Sequence, residues 1–141
     1  MGALIASALM IASAGIILTL GVIHLVYTFW GNKLTPRDPA LQTQMTEISP
    51  VLTRETTMWR AWIGFNASHS SGAILFGLTY GYLAVAQREV LFNSPFFVVV
   101  GLAMLAGWLF VGKFYWFSVP FRGICIALVC YVFSIASWWI F

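Results

Sequence analysis

Between Arg60 and Arg88 lie 27 residues without a formal charge, and residues 1 to 32 carry no charged side chain. Two further apolar stretches run from Pro95 to Gly112 and from Gly123 to Phe141. A hydrocarbon core about 30 Å thick takes roughly 20 apolar residues in helical form, so four spans fit. The pattern predicts an all-α, polytopic membrane protein, a four-transmembrane-helix bundle with spans at about 3–30, 58–86, 95–113 and 120–141.

Composition agrees with that solvent. Hydrophobic residues make up 61% of the chain and charged residues 8%, with a mean hydropathy of +0.91, whereas soluble domains carry about 25% charge. Four spans consume most of the 141 residues, so residues 1–141 are expected to form a single membrane domain whose one sizeable extramembrane segment is 31–57. The net charge is +3, but no basic cluster exists to contact phosphates, which excludes a nucleic-acid partner. Ala3–Trp30 lacks a basic leading segment and exceeds a signal core of about 7–15 residues, so it is expected to be a retained span. Cys125 and Cys130 lie about 140° apart on a helix, cannot bridge within it and do not form a C-x-x-C pair; they read as buried thiols.

Charge distribution predicts orientation. Lys33, Arg37, Arg54 and Arg60 lie in or beside the first loop, Lys113 and Arg122 flank the third, and Arg88 alone marks the second. The positive-inside rule therefore places the first and third loops in the cytoplasm and the N- and C-termini outside. Trp30, Trp59 and Trp62 bracket the first loop, as rings with a polar edge do at a membrane interface, and Trp138 and Trp139 mark the opposite one. Within the first loop, Asp38-Pro39 reads as N-cap and first residue of a short helix. Leu41, Met45 and Ile48 share one face of it, which suits an interfacial helix lying on the bilayer or over the bundle mouth, or a loop helix that only packs its apolar side, with Ser49-Pro50 as its stop.

All four acidic residues, Asp38, Glu47, Glu55 and Glu89, fall outside the spans. No intramembrane carboxylate is available for a proton relay, ion coupling or a carboxylate-bridged metal. Two histidines are inside. His24 lies late in the first span, and His69 sits within Asn66-Ala67-Ser68-His69-Ser70-Ser71, the most polar intramembrane stretch. Asn66, His69 and Ala73 share a helix face, and polar groups in hydrocarbon turn inward to find partners. Interhelical hydrogen bonding by Asn66, His69 and the serines is the leading expectation. Two imidazoles on facing helices also admit haem, although their depths below Trp30 and Trp59 differ by roughly 6 Å. A metal site is disfavoured because only two suitable ligands exist. Arg60, between Trp59 and Trp62, either anchors its helix at the headgroups or receives an anionic group from the cytoplasmic side.

Gly64, Ser68 and Gly72 form a small-residue stripe at spacing four, and Ala103 and Gly107 repeat it in the third span. Such stripes let backbones approach closely, with packing inside the bundle expected ahead of a dimer seam. Phe96, Phe97, Trp108, Phe110, Phe114 and Phe117 are spread around the third span, so some of these rings must meet lipid or another protein. No phosphate loop, nucleophile elbow or zinc-helix motif occurs.

The stretch Gly21-Val22-Ile23-His24-Leu25, the polar first loop, and Thr56-Thr57-Met58-Trp59-Arg60-Ala61-Trp62-Ile63-Gly64-Phe65-Asn66-Ala67-Ser68-His69-Ser70 together resemble small bacterial four-helix membrane proteins, broadly of DoxX-like size and layout. The resemblance covers most of the chain. It implies a four-helix bundle in a bacterial inner membrane and supplies no catalytic residue.

Three functions are therefore expected in turn. The first is a non-catalytic integral membrane protein acting through lateral packing, as an accessory subunit of a larger bioenergetic or transport complex, with a membrane-protein partner or a second copy in the lipid bilayer. The second is a small lipophile-binding protein or enzyme with a pocket of His24, Asn66, His69 and Arg60. The third is a b-type haem carrier.

Overall fold

The structure, a computed structural model, describes residues 2–140. Among the described residues six helices follow one another: α1 (Gly2–Phe29), α2 (Pro39–Glu47), α3 (Met58–Ala86), α4 (Arg88–Asn93), α5 (Pro95–Tyr115) and α6 (Ser118–Ile140). No strand occurs among the described residues. Three helices, α1, α5 and α6, are long and apolar enough to cross a membrane, which is compatible with an integral membrane protein. α3 is the longest, at 29 residues, but its Asn66–Ser71 centre makes it less apolar than those three.

Local chemistry sets the boundaries. Pro95 opens α5 and Pro39 opens α2, positions where the missing N–H forfeits no helical bond. Asp38 caps α2 by accepting from the Ala40 N–H at 2.9 Å. α1 ends where Gly31 takes a φ of 86°, a left-handed turn that a side chain would resist. α4 lies in the second loop, where sequence patterning gives no helix. Its Leu91 and Phe92 are fully buried.

The described chain divides into two compact units, one of them Gly21–Gly72 and the other the remainder. In the larger unit each long helix contributes a stripe spaced by three and four residues, the spacing that keeps side chains on one helix face. The stripes are Ala6, Met10, Ser13 and Ile17; Ala73, Phe76, Tyr80 and Leu83; Gly101 and Leu105; and Ile124, Ala127, Tyr131 and Ser134. Small residues allow close approach. Ser13 donates to the Ala127 carbonyl at 2.8 Å and Ser134 to the Ala6 carbonyl at 2.6 Å, tying α1 to α6 at two levels. Tyr80 donates to the Phe97 carbonyl at 2.7 Å, and Tyr131 to Val98 at 3.0 Å. Gly101 leaves the room for both phenols, because a Cβ there would lie 2.7 Å from the Tyr80 ring and collide with the Tyr131 hydroxyl. Phe92 stacks on Trp138, whose indole N–H donates to Asn93 at 3.2 Å.

Around α5 the aromatic rings separate by direction. Phe97 and Trp108 pack on the core, whereas Phe96, Phe110, Phe114 and Phe117 are exposed. The small-residue stripe of α3 departs from expectation. Ser68 is exposed and Gly64 and Gly72 have open space where a Cβ would stand, so among the described residues no close backbone approach uses the stripe. Gly77 is the α3 glycine that makes a close approach, against Ala14 and Leu18 of α1.

Candidate functional site

The Gly21–Gly72 unit brings three of the four sequence-nominated residues together. His24 projects from the late turns of α1, and Asn66 and His69 lie one turn apart on α3. Asn66 is the hub. Its Nδ2 donates to the Trp62 carbonyl at 2.8 Å, which fixes the amide with Oδ1 turned to His24 Nε2 at 3.0 Å. Because Oδ1 only accepts, His24 must donate from Nε2. The His69 ring meets the His24 ring edge to face, with centroids 5.5 Å apart. Asn66 itself is 7% exposed, deep enough that losing its partner would leave a costly orphan.

Hydroxyl groups in this unit satisfy themselves locally. Ser70 donates to the Asn66 carbonyl at 2.8 Å, Ser71 to Ala67 at 2.9 Å and Ser68 to Phe65 at 2.9 Å. Thr28 donates likewise to the His24 carbonyl at 2.8 Å. The serines therefore bond within α3, while the Asn66–His24 hydrogen bond and the His24–His69 ring contact join α1 to α3. This follows from reach, since a short side chain three or four residues on meets its own helix's carbonyl first.

Arg60 does not join the cluster. Its side chain is exposed, and no hydrogen bond or ion pair from it to His24 or Asn66 occurs among the described residues. Two cavities, of about 340 and 460 Å³, lie in this unit, and neither is lined by any of the four nominated residues. Haem ligation through His24 Nε2 would have to displace Asn66, and no group of three or more metal-ligating side chains occurs among the described residues.

Sequence reasoning gave no weight to the polar groups that do bridge helices elsewhere: Ser13, Ser134, Tyr80 and Tyr131. Their partners are backbone carbonyls, which every residue carries, so no residue type marks the other half of the bond. The pairing of His24 with Asn66 did have a signal. Asn66 is seven residues from Trp59 and His24 six from Trp30, which places them at nearly equal depth at about 1.5 Å per residue. Comparison with protein-family models, curated proteins and solved structures yields no match to this chain.

Proposed function

We propose that this chain is a non-catalytic integral membrane protein that packs laterally against another membrane protein, as an accessory subunit of a larger bioenergetic or transport complex in a bacterial inner membrane. On this reading α3 is a fourth span. At 29 residues it extends about 43 Å, ample for a core of about 30 Å. Its polar centre is compatible with hydrocarbon because Ser68, Ser70 and Ser71 already donate to their own helix, which lowers the cost of taking them out of water. α2 then lies along the cytoplasmic surface with Leu41 and Ile48, both exposed, turned to the bilayer.

The observation that carries the function is the outward small-residue face of α3. Gly64, Ser68 and Gly72 lie at four-residue spacing with open space above both glycines. Lipid chains gain nothing from so shallow a groove, whereas a partner helix gains close backbone contact. The alternative pocket around His24, Asn66, His69 and Arg60 draws less support, since Asn66 and His24 already satisfy each other. A photoreactive residue at Ser68, irradiated in native membranes, should capture one identifiable membrane protein, and Gly64→Leu with Gly72→Leu should abolish the capture. Capture of lipid alone from both forms contradicts the reading.

A further inference from the structure

In the Gly21–Gly72 unit the segment between α1 and α3 is tied to α3 at two points. The Trp62 indole N–H donates to the Leu34 carbonyl at 3.1 Å, and the Met58 N–H donates to the Ile48 carbonyl at 2.8 Å. Leu34 and Gln42 of this segment, with Tyr27, Thr28, Trp59 and Ile63 among others, line an open cleft of about 340 Å³. Its volume is at the small end for ligand sites, which run about 300–1,000 Å³. That is room for the head of a lipid and not for its chains.

The lining is chemically selective. Leu34, Ile63 and the faces of Tyr27 and Trp59 are apolar. The Thr28 hydroxyl is already committed to the His24 carbonyl. The Tyr27 hydroxyl, the Gln42 amide and the Trp59 indole N–H make no hydrogen bond among the described residues. An indole N–H can only donate, so the complementary group must present an acceptor, to which the phenol and the amide can also donate. No Lys, Arg, His, Asp or Glu lines this cavity, while Lys33 lines the neighbouring groove of about 460 Å³. A charged head would therefore lose water here without gaining a counter-charge. Trp and Tyr are also the side chains that settle at the level of lipid heads.

We propose that this cleft holds the uncharged, oxygen-rich head of a membrane lipid, its hydroxyl and ester oxygens accepting from Tyr27, Gln42 and Trp59 while its acyl chains remain in the bilayer. Diacylglycerol and a hexosyl-diacylglycerol share that chemistry. The proposal rests on the membrane placement given above and is independent of the protein partner.

The test uses the full chain in phosphatidylcholine nanodiscs doped separately with dioleoylglycerol, glucosyl-dioleoylglycerol or dioleoylphosphatidylglycerol. Native mass spectrometry of the released protein reads the lipid it retains. One neutral lipid should stay per chain, and the arm in which it does so identifies the source. Gln42→Leu and Trp59→Phe should each lower retention about five- to tenfold, the loss of one hydrogen bond. Gly107→Ala, at an open site, should leave retention unchanged. Preferential retention of phosphatidylglycerol, equal retention of all three, or neutral-lipid retention that survives both substitutions overturns the proposal. A chain that does not enter the discs overturns the membrane placement along with it, whereas an inserted chain that keeps no lipid overturns the cleft alone.

Discussion

A methyl group added at Gly77 tests how closely α1 and α3 pack. A Cβ there would lie 2.6 Å from Leu18 Cβ, 2.8 Å from the Ala14 carbonyl oxygen and 2.9 Å from Leu18 Cα. Ordinary contact starts at 3.4 Å, so α1 would have to retreat by about 0.8 Å. None of the three atoms can swing away by a rotamer change, because two belong to the backbone and the third is fixed to it. Overpacking of this kind costs about 1–3 kcal/mol. Replacing glycine by alanine in a helix interior returns about 0.5–1 kcal/mol, leaving a net loss of up to about 2.5 kcal/mol, about 1 at mid-range. Gly72 lies five residues earlier on the same helix and has nothing within 4 Å. Gly72→Ala should keep only the helix gain and raise stability by up to about 1 kcal/mol. Reversible unfolding in mixed micelles, as a function of the denaturing detergent fraction, measures both. The reasoning fails if Gly77→Ala is neutral, or if the two substitutions move stability in the same direction.

Three further outcomes follow from the same contacts. Gly101→Ala should displace the Tyr80 and Tyr131 hydroxyls from the Phe97 and Val98 carbonyls and destabilise by about 1–3 kcal/mol, whereas Gly107→Ala on the same helix, with nothing within 4 Å, should raise stability by up to about 1 kcal/mol in the same titration. A double-mutant cycle on His24→Ala and Asn66→Ala should give a coupling of about 0.6 kcal/mol, rising to about 1.7 at most; no coupling would mean that the 3.0 Å contact does not hold the helices together. In a chain with Cys125 and Cys130 replaced by serine, a cysteine at Asn32 should resist an impermeant thiol reagent in intact cells while one at Glu89 labels, and the reverse pattern would invert the proposed orientation.

The long helices were legible in the sequence because apolar run length and proline position both mark them. Met58, Ala86 and Pro95 coincide with expected span ends, and Asp38-Pro39 gives the start of α2. α4 was not legible, since six residues are too few to show a period and the burial of Leu91 and Phe92 depends on what surrounds them. Helix facing was the harder matter. In hydrocarbon an outward apolar face carries no penalty, so the amphipathic mark that orients a helix in water is weak. Gly64, Ser68 and Gly72 are visible as a stripe, yet nothing in the residue types shows that Asn66 and Ser70 turn inward and the stripe outward. The polar cluster was half legible: the residue types nominate His24, Asn66 and His69, whereas Arg60 shares only their neighbourhood in sequence.

Lateral association is the claim on which the functional account stands, and the mass of the particle extracted in a mild detergent tests it most directly. Native mass spectrometry of the chain purified from its own membranes should show one defined complex with another membrane protein. Gly64→Leu with Gly72→Leu should dissolve that complex without unfolding the chain, because both sites are open. A monodisperse 15.7 kDa chain that carries only lipid, unchanged by the two substitutions, would contradict it.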